Sequence, residues 1–483
     1  MLGRMDEACA AARSALALAP HHIGALTCLA SALRGTRRHT DAEQVTRGLA
    51  TLDPAQPATY GSLQRATKQQ GDASAALNAA RRLVALSPAD VEARRALGSA
   101  MFEIDDGPDP IRILAGCEPN DRTTCLTSAR IDSVEAYCTR HHQPYFPLAR
   151  EEAVECDPRR YPGVPPPFRT PAGFVARIDE VLVLPTSLAL LGRDGSLMAD
   201  LVSPYPLESL GRDAAVAALA TDGRALLRLQ AEPGRLDEPA MLLGSTSNFT
   251  HDVIDLLPRL MTLEPQTEEI VRLPIVICRG ASKGFRRLVE IVLDRPVDFV
   301  ELDDKLPTRC RRLWMPSLTH RFNHYNPSAV AFVRDRLPTR RRLERSSGER
   351  RLYLTRRNAL HRRLANEKDI ESILARYGFE TVAPESMTLD AQLDMFADAE
   401  FIILPSGGGN ATPIFAPRGT KIIEICHDRM LSRHVVTFAC FLGHPYRRVV
   451  GTTMGNVGAL DFDWDFEIAP NALEQAIMDL AGC

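Results

Sequence analysis

Long apolar runs are missing from this chain of 483 residues. No stretch reaches the about 18 consecutive apolar residues that mark a membrane-spanning helix, so none is expected. The N-terminal MLGRMDEACAAARS has the pattern of an amphipathic helix and lacks the apolar core and cleavage site of a signal peptide, which points to a cytoplasmic protein. An excess of charge is missing too. There are 58 Lys and Arg against 61 Asp and Glu, a net −3 that gives no general reason to bind nucleic acid. The 11 cysteines form no CxxC pair, so neither a zinc ribbon nor a disulfide framework is expected, and the thiols read as reduced. The dinucleotide and P-loop fingerprints are both absent. What remains is an ordinary soluble composition, 45% apolar and 25% charged, long enough for about three domains with sizeable cores.

Repetition is the first positive signal. Pro20, Pro54 and Pro88 close three similar segments, each 34 residues after the last. That is the period of helix-turn-helix units of the tetratricopeptide type. Small residues fall in phase at Ala8, Ala42 and Ala76, where paired helices must approach closely. Leu29, Leu63 and Leu97 keep the same phase, and Gly98 follows. Residues 1–104 are therefore expected to be tetratricopeptide-like repeats (TPR-like), the first unit keeping only its second helix and the last only its first. Stacked units leave a concave face for a partner, and an uncapped end invites self-association.

Residues 105–170, rich in proline and mixed charge, read as a connector with short ordered pieces. From Val175 onwards strand-like runs alternate with helical ones. They include a hairpin around Asp194-Gly195, the apolar run LPIVICRG, the helix SKGFRRLVEIVL, then PVDFVEL and RRLWMPS. Such alternation suggests a parallel sheet with helices on both faces. In GSTSNFTHDVIDLLPRL, Ser247 or Thr250 is a candidate helix cap, and His251 and Asp255 then share one helical face at i,i+4. A His beside a carboxylate can take a proton from an incoming hydroxyl; a hydrogen-bonded surface His is the plainer alternative.

Residues 334–363 hold 12 Arg against 3 acids. A solvated basic linker would look the same. But Tyr353-Leu354 reads as a strand, with Thr355-Arg356-Arg357 at its C-terminal end, where open α/β sheets bind ligands and Arg forks suit phosphate oxygens. No aromatic interleaves the run beyond Tyr353, so nucleic acid is a poorer fit. A helix is expected to begin after Ala359. Ser406-Gly407-Gly408-Gly409-Asn410 sits where a strand hands over to another expected helix, whose free N–H groups would suit an anion; a tight structural turn is the alternative. Asp461-Phe462-Asp463 reads as a surface acidic segment rather than a metal pair.

Together these pieces resemble the family-61 glycosyltransferases. The element Asn-aromatic-x-His ending in Leu-Pro-Arg-Leu is NFTHDVIDLLPRL here, with His251, Pro258 and Arg259 in place. Tyr353-Leu354-Thr355-Arg356 is followed by Arg362 and Arg363, then Asn366 and Glu367. Gly378-Phe379-Glu380, Pro384-Glu385, Ala399, Phe415-Ala416-Pro417, Gly419 and Glu424-Ile425 continue the order, which spans roughly residues 175–430. In one respect the chain departs from the family. Ser406 stands where the glycine loop usually has His, and Ala411-Thr412 where it has Thr-Asn, which bears on donor identity and on activity.

The resemblance implies a GT-B fold, two Rossmann-like halves facing across a cleft: an acceptor half at 171–340 and a donor half at 341–483. It implies an inverting, metal-independent transfer of a hexose or pentose from a nucleotide sugar, UDP-linked in the first instance, to a glycan, polysaccharide or protein hydroxyl. No cofactor is implied. On this reading Arg356 and Arg363 neutralise the donor diphosphate with help from Gly407, Gly408 and Gly409. Ser406, Asn410, Asn366, Glu367 and Glu385 complete the donor side, and His251, Asp255 or Asp252 is the acceptor-side base. Two alternatives stand beside it. One is a repeat scaffold carrying a degenerate transferase domain; the other is a different Rossmann enzyme or binder. A peripheral membrane position fits if the acceptor is lipid-linked.

Overall fold

The computed structural model describes residues 2–35, 39–104, 107–117, 124–148, 151–200, 210–211, 213–230, 232–246, 248–321, 323–345, 348–428, 432–454 and 464–482. Ser247 and the Asp461–Asp463 segment lie outside them. The chain opens with α1 (Leu2–Leu18), α2 (Ile23–Gly35), α3 (His39–Leu52), α4 (Pro57–Gln69), α5 (Ala73–Leu86), α6 (Val91–Ile104) and α7 (Pro108–Ala115). The 34-residue phase is visible in the packing: Ala42, Ala76, Leu29 and Leu63 are all buried. Pro57 and Pro108 sit in first turns, where a missing N–H costs nothing.

The repeat runs further than expected. Helix α7, inside the supposed connector, packs on α6 and completes the last unit. A Cβ at Gly98 would lie 2.7 Å from Leu114 Cγ, so that glycine lets the two helices close up. The expected uncapped end is also covered. Phe102 and Leu114 share a cluster with Ala218, Ala220 and Leu226 of the following sheet. Glu103 accepts from Thr221 N–H at 2.9 Å and from the Thr221 hydroxyl, and Arg224 donates to the Glu103 carbonyl at 2.9 Å.

Among the described residues twelve strands form one mixed sheet. They are β1 (Thr124–Asp132), β2 (Tyr145–Pro147), β5 (Phe174–Val183), β6 (Leu190–Leu191), β7 (Ser196–Met198), β8 (Val216–Leu219), β9 (Arg224–Gln230), β10 (Gly234–Leu236), β11 (Ala240–Leu242), β12 (Ile275–Cys278), β13 (Phe299–Leu302) and β14 (Thr308–Pro316). A separate pair is β3 (Ala153–Val154) with β4 (Phe168–Arg169). The order is β13-β12-β11-β14-β5-β6-β7-β1-β9-β8, with β10 paired to β14 and β2 to β5 off this path. The parallel Rossmann-like run is β13-β12-β11-β14; β14 meets β5 antiparallel, β5-β6-β7 and β8-β9 are hairpins, and β1 lies parallel to β7 and antiparallel to the distant β9. Within residues 171–340 the parallel pairing is thus confined to part of a mixed sheet. The connector is corrected at the same time, because β1 zips to β9 over seven residue pairs from Thr124 to Arg130 and is integral to the sheet. The hairpin at Asp194-Gly195 is present as β6-β7.

The second sheet comprises β15 (Arg350–Leu354), β16 (Glu380–Val382), β17 (Ala399–Pro405), β18 (Lys421–His427), β19 (Tyr446–Met454) and β20 (Asp465–Glu467) in the order β16-β15-β17-β18-β19-β20. It is parallel until the antiparallel β20. This is the doubly wound 2-1-3-4-5 order, whose topological switch point falls between the C-terminal ends of β15 and β17. A single hydrophobic cluster joins the two sheets, running from Val253, Leu257 and Phe285 through Val330 and Phe332 to Leu352, Ile402 and Val436.

The expectation of reduced thiols is corrected at one pair. Cys156 and Cys440 form a disulfide across a sequence separation of 284. Such a pair leaves no local spacing to read. No helix among the described residues is long and apolar enough to cross a membrane.

Candidate active site

Residues Leu354-Thr355-Arg356 leave β15 and Pro405-Ser406-Gly407 leave β17 at the switch point. Arg356 turns its guanidinium over the glycine bend: a Cβ on Gly407 would fall 2.5 Å from Arg356 Cζ and closer still to Nη1. The guanidinium also donates to the carbonyls of His361 (3.0 Å) and Arg362 (3.3 Å). These carbonyls reach it because residues 356–366 form a loop, not the helix expected after Ala359, with Arg362 at φ +58°. The helix, α11 (Glu367–Arg376 in a series where α8 is Val134–Arg140, α9 Lys283–Leu293 and α10 Pro327–Arg336), starts only at Glu367.

Beside Arg356 opens a cavity of ≈ 980 Å³ between the two sheets. Phe249 and Lys283 line it from the first sheet's side; Arg356, Glu385, Gly408 and Gly409 line it from the second. Its wall is mostly apolar by area, and the charged groups Lys283, Arg287, Arg356, Glu385 and Asp390 stand in it, a make-up that suits a polar small molecule. Glu385 accepts from Asn358 Nδ2 at 3.2 Å at this rim.

The other donor-side candidates have structural partners instead. Arg363 is bound to Asp465 on β20, at 2.7 and 3.1 Å. Asn366 donates to the Ile468 carbonyl at 2.8 Å. Glu367 is buried, accepting from Tyr353 (2.8 Å) and Thr355 (2.6 Å). The Ser406 hydroxyl donates to Glu424, which also accepts from Tyr446 (2.5 Å) and Arg448 (2.9 Å) and is wholly buried. Asn410 closes the bend by accepting the Gly407 N–H at 2.8 Å, so that N–H is not offered to an anion. No long helix follows the glycines, only a short 3-10 turn at Thr412–Phe415. The sequence showed these residue types at the right edge of the sheet but could not show which ones carboxylates and carbonyls would engage.

On the acceptor side the cap is Asn248, whose side chain accepts from Thr250 N–H at 3.0 Å. Thr250 serves another purpose: its hydroxyl donates to the carbonyls of Gly408 (2.7 Å) and Gly407 (3.2 Å), locking this segment to the glycine bend. The chain then makes a π-helical turn at Asp252–Leu256 and a 3-10 turn at Leu257–Leu263. Single π turns inside helices recur at functional sites. Arg259 is fully buried and donates to the carbonyls of Leu242, Leu243 and Pro316 at 2.6–3.0 Å, fixing the turn to β11 and β14. Burial pushes its pKa down to about 9.

His251 and Asp255 meet as the i,i+4 spacing predicts, Nδ1 to Oδ2 at 2.8 Å. Burial disfavours charge on His251, but the bond to Asp255 and the charges of Asp255 and Asp252 outweigh it and raise its pKa. Burial likewise opposes charge on Asp255, yet His251 and His320 hold its carboxyl well below the usual range. Asp252 is spent on the backbone, accepting from Thr246 N–H (2.5 Å) and hydroxyl (2.9 Å), and burial pushes it up to about 6. Three residues unsuspected from sequence complete this cluster: His320, Tyr325 and His434. His320 Nε2 lies 2.9 Å from Asp255 Oδ1, at ion-pair distance though outside hydrogen-bond geometry. Tyr325 is hydrogen-bonded to His434 Nδ1, and His434 stands edge-on to His251 at 5.9 Å between ring centroids. Burial pushes the His434 pKa down to about 4. No local motif links these positions, so spacing could not find them.

Residues 249–423 match the family model Glycosyltransferase 61. The N-terminal helical region matches solved tetratricopeptide structures. A crystal structure of MamA protein is 22% identical with a TM-score of 0.23, over 24% of this chain and 63% of that one. MamA from Desulfovibrio magneticus RS-1 is 21% identical with a TM-score of 0.23, over 24% of this chain and 66% of that one. YrrB, described as a TPR protein with an unusual peptide-binding site, is 16% identical with a TM-score of 0.23, over 24% and 59%. The chain thus spans somewhat under two thirds of the first of these relatives. No curated protein matches the chain.

Proposed function

We propose that this chain, which carries a glycosyltransferase 61 domain at residues 249–423, moves a sugar from a nucleotide-sugar donor to a hydroxyl of a glycan, polysaccharide or protein, with inversion and without a metal. The donor would lie in the ≈ 980 Å³ cavity, between halves arranged in the GT-B manner. The observation that carries the reading is Arg356 on the Gly407 bend at the switch point. There a fixed cation meets a diphosphate as its negative charge grows, the largest single term in many such reactions. The acceptor oxygen attacks the anomeric carbon, the bond from that carbon to the diphosphate oxygen breaks with its electron pair, and His251 takes the hydroxyl proton. His251 stands beside the cavity rather than in its wall, joined to it through Thr250 and the glycine carbonyls.

A second reading is favoured by one observation. Ser406, at the position of the family's loop histidine, is turned into the buried Glu424 cluster and has no contact with the cavity. That suits a scaffold whose transferase domain has lost its chemistry. Incubation with a panel of UDP- and GDP-sugars separates the two: donor hydrolysis or transfer supports the enzyme, and silence across the panel supports the scaffold. In either case the repeats would hold a protein partner or an acceptor chain on their concave face. The cytoplasmic location, peripheral to the membrane for a lipid-linked acceptor, stays part of the proposal. A closed Cys156–Cys440 bridge belongs to an oxidising compartment, so the thiol state of protein taken from cells tests it.

A further inference from the structure

We propose that His320 is a positioning residue: it fixes the Asp255 carboxylate from the side opposite His251, so that Asp255 holds His251 with its proton on Nδ1 and Nε2 bare for an acceptor hydroxyl. The inference rests on the reading of His251 as the base. Asp255 is 4% exposed, and its two oxygens face two different histidines, Oδ2 at 2.8 Å from His251 Nδ1 and Oδ1 at 2.9 Å from His320 Nε2. A buried carboxylate with one partner could rotate; with a hydrogen bond on Oδ2 and the His320 ring at ion-pair distance from Oδ1, it is held from both sides. His320 is itself immobilised. Its side chain has no exposed surface, and its ring stacks on Tyr325 at 4.9 Å and 28°.

The consequence is chemical. Which nitrogen of an imidazole is free follows from what the other one bonds. With Nδ1–H given to Asp255, His251 keeps its lone pair on Nε2, on the ring that is a little over a third exposed (36%). When a hydroxyl attacks, its proton passes to Nε2, and the imidazolium that results stays bonded to the Asp255 carboxylate. This is the nucleophile, base and orienting-group arrangement in its general form. The groups facing His251 are Asp252 and Asp255 on its own turn, Arg362 from the loop after β15, and His434 from the helix His434–Leu442, which bonds Tyr325. His320 acts on it through Asp255.

The test is ring-nitrogen ¹⁵N NMR of the full wild-type chain with labelled histidine, at about pH 9, above the ordinary histidine range. The expected result is His251 protonated on Nδ1 and bare on Nε2, and His320 protonated on Nε2. A proton on His251 Nε2, or a bare Nε2 on His320, overturns the proposal. In His320→Phe, which offers Asp255 no N–H, the carboxylate charge falls to His251, whose titration midpoint should rise by more than about half a pH unit; an unmoved midpoint also overturns it. Should that variant fail to fold, the wild-type tautomers decide alone. None of these readings needs turnover. The expected tautomers in a protein that processes no nucleotide sugar would remove the base reading and leave the clamp standing.

Discussion

Substituting Gly407 by Ala perturbs the proposed phosphate site where Arg356 meets the glycine bend. The added Cβ would fall 2.5 Å from Arg356 Cζ and 3.1 Å from Nη2. Ordinary contact begins near about 3.5 Å and Nη1 lies closer still, so the guanidinium must retreat by more than about 1 Å. The retreat loosens its bonds to the His361 and Arg362 carbonyls, and Ala at φ +159° adds backbone strain of about 1–3 kcal/mol, so the thermal midpoint should fall by several degrees and binding is measured well below it. A loss also falls on the ligand. A misplaced charged hydrogen bond is worth about 1.5–3 kcal/mol, or roughly 10- to 150-fold in affinity for a nucleoside diphosphate. Calorimetric titration of UDP and GDP measures this directly. Gly408→Ala is the control, because its Cβ would sit 4.0 Å from Arg356 Nη1, at ordinary contact; it should weaken binding by less than about threefold. If Gly407→Ala binds as tightly as wild type, or if both variants lose equally, the pairing of Arg356 with this bend has no part in binding.

Arg259→Met leaves the Leu242, Leu243 and Pro316 carbonyls without their donor in a dry core and should cost about 3–5 kcal/mol, read by chemical denaturation; a loss below 1 kcal/mol would contradict the strut role. Because the His251 pKa is raised in the folded state, its contribution to stability is complete below the ordinary histidine range near 6.5 and fades as pH rises through the folded value. Asp255→Asn should therefore destabilise more at about pH 6 than at pH 9, and a flat difference across that window would count against the pair. Alkylation of purified protein denatured after equilibration in air should find two more thiols with reductant than without, those of Cys156 and Cys440, and under those conditions Cys156→Ser should cost about 2–4 kcal/mol. Donor turnover, if found, should survive EDTA; loss of activity that Mg²⁺ or Mn²⁺ restores would refute the metal-free part of the proposal.

The repeats were legible because one packing rule recurs at a fixed period: Ala42 and Ala76 are small for the same reason. The second sheet was legible from short apolar runs ending in chemistry, and the His251–Asp255 pair from helical spacing, which survived even a π turn. What could not be read was non-local. The strand β1 hides in a proline-rich stretch because its partner β9 lies far along the chain. Arg356 and Arg363 look alike in sequence, yet one meets a glycine bend and the other Asp465. His320 and His434 have no motif, since only folding brings them to Asp255 and His251. The Cys156–Cys440 bridge is hidden in the same way.

A crystal structure of the chain soaked with UDP tests the central claim most directly. The account predicts diphosphate oxygens within hydrogen-bond distance of the Arg356 guanidinium, with the nucleoside in the cavity lined by Phe249, Glu385 and Gly408. A nucleotide bound elsewhere, with Arg356 still donating to the His361 and Arg362 carbonyls, would contradict it.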